Sequence, residues 1–590
     1  MIKFIRRHKF WCALGAIGTI YLIIRLFLVP PILDQTYFSR AYYDTNGRLM
    51  RLTLSADEKY RLYTPLSEIA PDAARAIILY EDKYFYMHPG INPVSLAKAT
   101  LGYFRTNTRP VGASTITMQV ARMRYNLNTK RPAGKLIQIA AAIYLDAFHS
   151  KREILEAYLN LAPYGGNIEG IGAASLIFFQ KRAADLTTIE SITLATIPQN
   201  PTNRNISTPA GMSNIMKMRG DLVRRWTRAH GDNGTLTTMA QMPLAAHGVR
   251  ELPFYAPHFI NREIINNDKY RPNMGPAPSE IRTTLDIELQ QKLAATLQAQ
   301  VNRRRAFGVS NAAAILINYK TMETLAYIGS ADYFDKEIFG ENDGVRARRS
   351  PGSTLKPLIY AAAVDNGLIH SMTLLKDARV NFGVYAPENA DNEFYGPVLA
   401  HTALTHSRNI PAINLVRKIG VANFHALLGR AGVTNLKSPG YYGISVALGG
   451  AEVSMWELAD IYATMANLGT RRAIRTSQSD PDEALDNLLS PEAYFITLDM
   501  LSRQRTLQKN VPFAKKRAET IRHYWKTGTS SSYRDAWTAG IFGDFVMIVW
   551  VGNFDGQPNN VFSGAKTAAP IYFAMADAVQ NYNKTHSKPR

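Results

Sequence analysis

A single cysteine in 590 residues leaves no disulfide to form and too few thiolates for a zinc site. It is Cys12, inside the first apolar run, and no lipobox precedes it, so lipoprotein anchoring loses support as well. No internal repeat or low-complexity tract is visible, and a hydrophobic content of 46% excludes wholesale disorder. Negative charge is scarce: 47 acidic residues stand against 68 basic ones, for a formal net charge of +21. The basic residues are spread along the chain without a recognised nucleic-acid motif, so no nucleic acid is expected. Anionic lipid or a phosphate-bearing substrate suits this balance better, with simple solubility as the bland alternative.

What is present begins with a membrane signal. Residues 1–9, MIKFIRRHK, read as a cytoplasmic tail and residues 10–29 as a transmembrane anchor. Arg25 would snorkel to an interface, and Lys3, Arg6, Arg7 and Lys9 would stay inside. A cleaved signal peptide fits less well, because the run is long and no small-residue cleavage site precedes Pro30-Pro31. The rest of the chain is then expected outside the cytoplasm.

Residues 55–230 carry apolar positions at helical spacing, as in AGKLIQIAAAIYLDAFHSKREILEAYLN at 133–160, and predict a mostly α domain. Residues 231–300 collect Gly, Pro and Asn and read as a linker region. Residues 301–575 mix strands with helices. AAAILINY with TLAYIGS, and TAGIF with FVMIVWVGN, read as hairpins near the two ends of this stretch. That predicts an α/β domain whose antiparallel sheet is built from both ends and covered by helices. Residues 576–590 read as a polar tail.

In SPGSTLKPLIYAAAV, Pro357 is tolerable only in the first turn of a helix, so a helix is expected to start close to Ser353. Ser353 and Lys356 then share a face, with the ammonium in reach of the hydroxyl and the helix N-terminus favouring negative charge. An SxxK alone is weak, for SLAK at 95–98 and SGAK at 563–566 match equally. Order and company raise the signal, because Ser407-Arg408-Asn409 is the only SxN and Lys526-Thr527-Gly528-Thr529 the only KTG. In this order the three resemble the signature of penicillin-binding proteins and serine β-lactamases. That resemblance makes Ser353 the nucleophile on the penultimate D-alanine carbonyl, with Lys356 taking its proton, made basic by burial and by Lys526. Ser407 would relay the proton to the departing D-alanine, and Asn409 would hold the peptide amide. Lys526, Thr527 and Thr529 would bind the terminal carboxylate, and Gly528 would let the peptide approach the strand edge. Backbone amides of Ser353 and Thr529 would form the oxyanion hole.

EDKYFYMHPG at 81–90, taken alone, reads either as a catalytic base or as a solvated turn. GASTITMQVAR at 112–122, GKLIQ at 134–138, KREILEAYLN at 151–160 and ESITLATIPQNP at 190–201 follow it in order. With these five motifs ahead of the serine set, the chain resembles the bifunctional, class A penicillin-binding proteins, and most closely their 1C branch. The resemblance implies a lysozyme-like helical glycosyltransferase domain, an inverting reaction and a β-1,4 glycan made from lipid II. Glu81 is then the general base for the sugar 4-hydroxyl. Phe85 and His88 would shape the motif's loop and Gly90 would let it turn, while Ser114, Thr115, Gln119, Lys135 and Arg152 would line a phosphate-binding cleft. Asp82 and Asn160 carry a structural role as readily as a functional one. The third motif usually holds a second glutamate where this sequence has Gln138. No cofactor is therefore required, and a divalent cation, Mg or Mn, at that substrate-binding position would be weakened. Members of the 1C branch continue into a small β-rich domain, for which nothing follows Arg590, so a partner interaction through it is not expected.

The leading reading is a bifunctional peptidoglycan synthase, single-pass in the bacterial inner membrane with its catalytic domains in the periplasm. Its expected partners are lipid II and nascent peptidoglycan, β-lactam antibiotics, cytoplasmic membrane lipids and other cell-wall synthesis proteins. The alternatives are a penicillin-binding transpeptidase or carboxypeptidase with a scaffold-only first domain, which the intact Glu81 motif opposes, and a non-catalytic sensor, which the complete serine set opposes. LGYFRTN at 101–107 reads equally as a membrane-dipping helix and as an ordinary packed helix end.

Overall fold

The computed structural model describes residues 18–19, 21–23, 25, 27, 29–95, 114–231, 234–270, 279–381, 386–503 and 521–586. The expected anchor lies largely, and LGYFRTN wholly, outside them. Among the described residues no helix is long and apolar enough to cross a membrane. The chain divides into two compact units, one of Met1–Ala41, Arg51–Pro253 and Pro278–Glu280, the other of Tyr42–Met50, Phe254–Ala277 and Ile281–Arg590.

The first unit is built from helices α1 (Pro71–Glu81), α2 (Ile116–Arg124), α3 (Pro132–Phe148), α4 (Lys151–Leu161), α5 (Ile171–Phe179), α6 (Thr188–Ala195) and α7 (Pro209–His230). Proline opens α1, α3 and α7, where its missing N–H costs nothing. Ser150 with Glu153 and Thr187 with Glu190 form capping boxes that start α4 and α6. IGAASLIFF, α5, is apolar throughout and buried throughout, as a central helix must be. α1 packs on α6 and α7, and α2 on α3 and α4, which sets where α1 ends and α2 begins. The buried Asn160 amide ties α4 to the chain at Thr64, accepting from its N–H and donating to its carbonyl, each at 2.9 Å. That is a structural role.

The second unit contains α8 (Ile287–Asn302), β1 (Asn311–Asn318), β2 (Glu323–Ile328), α9 (Lys356–Asp365), β3 (Leu374–Asp377), β4 (Gly396–Leu399), α10 (Asn409–Ile419), α11 (Met455–Ala466), β5 (His523–Thr529), β6 (Asp535–Phe542), β7 (Phe545–Gly552) and α12 (Ala569–His586). Its main sheet runs β5-β6-β7-β1-β2 with every neighbour antiparallel, so both ends of the unit supply strands. β3 and β4 form a separate antiparallel pair. Side chains alternate across the sheet. On β1, Ala313, Ile315 and Ile317 join the core under α9 and α11, and Ala312, Ala314 and Leu316 join the core under α8 and α12.

Two stretches differ from the expectation. Residues 287–302, which begin inside the expected linker and run past its end at 300, form α8, and Leu289, Leu293 and Leu297 are buried in the second core. The expected polar tail at 576–590 continues α12 as far as His586; Val579 and Tyr582 are buried, and the Tyr582 hydroxyl donates to Asp286 at 2.7 Å. A helix that covers a sheet from one side needs only a narrow apolar stripe, which polar residues on its other faces conceal in the sequence.

Candidate active sites

Ser353 sits in a 3₁₀ turn, Gly352–Leu355, that runs directly into α9, with Pro357 in the first turn as its ring requires. β5 is an edge strand. Trp525 enters the core on one face, so Lys526 and Gly528 turn to the other, onto the segment that carries Ser353. A Cβ at Gly528 would lie 2.3 Å from the Pro351 carbonyl oxygen. The glycine thus lets the strand meet the serine's turn.

The SxN segment leads into α10, and Ser407 holds φ at +59°, the left-handed region that serine rarely adopts. The Lys356 amine donates to the Ser407 carbonyl at 2.6 Å, the Arg408 carbonyl at 3.1 Å and Asn409 Oδ1 at 2.7 Å, with Ser407 Oγ at 3.5 Å. Lys526 donates to the same Ser407 Oγ at 2.8 Å and to the Thr527 carbonyl at 2.9 Å. Lys356, Ser407, Asn409 and Lys526 are therefore gathered at one point. Among the described residues the bonds of Lys356 run to the SxN segment and not to Ser353, as the shared-face expectation had it. A fully buried lysine needs oxygen acceptors to replace water, and these carbonyls provide them. Burial, then the charges of Lys526 and Arg408, hold Lys356 well below the usual lysine range, with Asp377 opposing. Burial pushes Lys526 down to about 7. The Thr529 hydroxyl accepts from the Gly564 amide at 3.1 Å, which fixes its orientation.

In the first unit Glu81 is the last residue of α1. Its Oε2 accepts from the Gln119 amide at 2.8 Å, and Oε1 is buried without a hydrogen-bond partner. Burial raises this carboxyl above its ordinary range, against the pull of Gln119, Gln199, Arg204 and Arg122. The loop after it is held from within. His88 Nε2 lies 2.9 and 3.0 Å from the Asp82 oxygens, and Asp82 also accepts the Ile116 amide at 3.1 Å. Phe85 is buried beneath the Lys151 ammonium, 4.8 Å from the ring centre, and Lys151 donates to the His88 carbonyl at 2.7 Å. A Cβ at Gly90, where φ is +76°, would lie 2.5 Å from the Ala142 carbonyl oxygen.

Lys135 donates to Ser114 Oγ at 3.0 Å and to Gln138 Oε1 at 2.8 Å, and the buried Gln138 amide donates to the Met118 carbonyl at 2.6 Å. Burial, helped by Arg122, lowers Lys135 below the usual lysine range. Thr115 does not join this group. Its hydroxyl accepts from the Met118 amide at 3.1 Å and donates to the Gly90 carbonyl at 2.6 Å, because α2 begins there and needs a cap. Arg152 is exposed and has no recorded bond among the described residues. Arg122 was missed by the sequence reading. It acts on both Glu81 and Lys135, and its place one helical turn beyond Gln119, inside the second motif, was the available signal. Arg408 and Asp377 were missed as well, since nothing local pairs residues so far apart.

Two buried lysines that meet at Ser407, with the Ser353 turn packed on the edge of a helix-covered antiparallel sheet, here follow a helical unit with its own buried carboxylate. Residues 46–225 match the family model described as Transglycosylase, and residues 312–574 match the penicillin binding protein transpeptidase domain. Penicillin-binding protein 1C of Escherichia coli is 34% identical over 549 residues, 92% of this chain and 68% of that protein. Penicillin-binding protein 1F of Bacillus subtilis is 30% identical over 551 residues, 88% of this chain and 74% of its own. Penicillin-binding protein 1A from Haemophilus influenzae shares the fold, with a TM-score of 0.56 at 16% identity over 94% of this chain and 93% of that one. The chain belongs to the bifunctional, class A penicillin-binding proteins, peptidoglycan synthases with glycosyltransferase and transpeptidase activities.

Gly528→Ala tests the contact between strand and serine turn. Overpacking of this kind costs about 1–3 kcal/mol, and a displaced turn costs up to about 100-fold in acylation rate. Thermal unfolding and penicillin labelling read the two effects, and a variant that matches wild type in both contradicts the packing role.

Proposed function

We propose that the second unit cross-links stem peptides through an acyl-enzyme on Ser353. The reading is carried by the enclosure of Lys356 between Lys526 and the SxN segment. A depressed lysine takes the Ser353 proton as Oγ bonds to the D-alanine carbonyl carbon. The carbonyl and amide oxygens around Nζ help it take the proton, and burial with the charges of Lys526 and Arg408 lets the same group return it. That proton leaves through Ser407 Oγ to the nitrogen of the departing D-alanine as the peptide bond breaks. An amine of a second stem peptide then replaces Ser353, or water does so in trimming. Lys526 with Thr527 and Thr529 faces the substrate carboxylate, and Asn409 faces the peptide amide. Ser353 and Thr529 N–H groups face the developing oxyanion.

In the first unit Glu81 removes the proton from the 4-hydroxyl of lipid II, whose oxygen attacks the anomeric carbon of the growing chain while polyprenyl pyrophosphate leaves. Gln119 orients the base, and Lys135, Ser114 and Arg122 balance the leaving phosphates, with exposed Arg152 free to join them. A divalent cation does not suit the Gln138 position. Its only oxygen already accepts from the Lys135 ammonium, which would repel the metal. The Gln138 amide is likewise committed to Met118, so it steadies α2 against α3 instead of contacting phosphate. Leu136, Ile137, Ala140, Ile143, Tyr144 and Ala147 make one exposed face of α3, and Tyr21 from the anchor segment donates to the Ala147 carbonyl at 2.5 Å. These features support a membrane-apposed polymerase anchored in the inner membrane and facing the periplasm, with lipid as its neighbour.

The two activities are expected to separate by mutation. With labelled lipid II and fluorescent penicillin, Ser353→Ala abolishes labelling and keeps polymerisation. Glu81→Gln keeps labelling and lowers polymerisation by about two to four orders of magnitude. Labelling that survives in the first variant, or polymer at the wild-type rate in the second, refutes the corresponding assignment.

Polymerisation is further expected to proceed with little response to magnesium, manganese or chelator. Gln138→Glu replaces the donor facing Met118 with a carboxylate oxygen, so it lowers stability by about 1–3 kcal/mol while making the rate respond to the metal. Equal metal dependence in the two proteins contradicts this account of Gln138.

A further inference from the structure

The middle residue of the SxN motif is the most elaborately held side chain near either site. Arg408 is almost wholly buried, and its Nε donates to Asp377 Oδ2 at 2.8 Å. One terminal nitrogen donates to Asp391 Oδ2 at 2.6 Å and the other to the Glu393 carbonyl, while the guanidinium lies 3.8 Å over the Tyr395 ring. Asp377 is fully buried and is bound a second time by the Asn389 amide at 2.8 Å and by the Tyr395 N–H at 3.1 Å. The same Asn389 accepts the Asn409 N–H at 2.7 Å, and the Asn409 side chain donates to the Glu388 carbonyl at 2.7 Å. Residues 388–395 thus strap the SxN segment on both sides of Arg408.

We propose that the Arg408–Asp377 ion pair is a positioning device for acyl transfer, holding Ser407 and Asn409 around Lys356 and balancing the charge presented to its amine. This rests on the reading of Lys356 as the base for Ser353. Two features support it. Ser407 keeps its left-handed backbone with its N–H on the Leu404 carbonyl and the anchored Arg408 next in the chain, and a strained residue persists only where its neighbours over-determine it. The guanidinium and carboxylate also act on the amine in opposite senses, Arg408 favouring the neutral form and Asp377 the charged form. The other charge acting there is Lys526 on β5. One turn along α9, the buried Tyr360 hydroxyl feels Asp377. With Arg408 and Asp377 both present their effects offset each other. Removing either shifts the balance of charge beside the base, with a sign that depends on which one is lost.

The test is the pH profile of penicillin acylation. In wild type the rate rises with pH as Lys356 loses its proton. Arg408→Met leaves Asp377 without its cation and moves the rising limb up by about one pH unit; Asp377→Asn leaves Arg408 with only the more exposed Asp391 and moves it down by a similar amount. The double variant brings the limb back toward wild type. Should the buried variants fail to fold, Asp391→Asn, at a partly exposed carboxylate, gives a smaller downward shift in a folded protein. Opposite displacements establish the pair's role, because a merely structural contact would change the rate without moving the limb in two directions. Displacement in one direction only, or a limb unmoved in every folded variant, overturns it. Labelling that persists in Ser353→Ala, or a wild-type rate with no rising limb, defeats the acyl-transfer reading and this proposal with it.

Discussion

Two lysine side chains, Lys356 and Lys526, are buried within reach of one hydroxyl, that of Ser407, and the rest of the transpeptidase site is arranged around that constraint. Enclosing an ammonium costs several kcal/mol even after relaxation, and two like charges this close resist being charged together. The protein meets the cost with oxygen. The Ser407 and Arg408 carbonyls, the Asn409 amide and the Thr527 carbonyl all accept from the pair. To present these oxygens the SxN segment takes a backbone conformation foreign to serine, and Arg408 anchors it to the buried Asp377. The charge of Lys526 disfavours a second one on Lys356, so one lysine can be charged for a carboxylate while the other is free to take a proton.

Desolvation works in the opposite sense at Glu81. A carboxylate taken out of water holds its proton more tightly and becomes a stronger base when ionised. One of its oxygens is buried without a close hydrogen-bond partner and the other accepts from the Gln119 amide, with Gln199 also opposing the effect of burial. Arg204 and Arg122 pull the other way. Tyr158 and Tyr164, fully buried and also without hydrogen-bond partners at their hydroxyls, stand close enough to feel its charge and have their own ionisation suppressed. One chain thus uses burial to make an acid-range group more basic and an alkaline-range group less so, bringing each toward neutrality.

Much of this was legible in the sequence because the chemistry is written in short, ordered motifs. Pro357 located the start of α9, the two hairpins at the ends of the second unit gave the antiparallel sheet, and the SxxK, SxN and KTG motifs named Lys356, Ser407, Asn409 and Lys526, which meet. What escaped was long-range or concealed. No local pattern reveals that Gln138 bonds to the Met118 carbonyl, that Thr115 is consumed as a helix cap, that Gly528 packs against Pro351, or that Asp377 holds Arg408. α8 and the end of α12 escaped because one buried stripe among polar residues resembles a linker or a tail. The lysine was placed correctly and its partners were not, since i,i+3 spacing specifies a shared face and leaves open which neighbour fills it.

The most direct test of the central claim is the titration of the lysines themselves. With carbon-13 placed at lysine Cε, the shifts of Lys356 and Lys526, assigned by substituting each in turn, are followed through the neutral and alkaline range. The account predicts that both depart from the crowd of surface lysines. Lys526 should titrate at about 7, and Lys356 should have its midpoint well below the ordinary lysine value of 10.5. Two resonances that titrate with the surface lysines would contradict it.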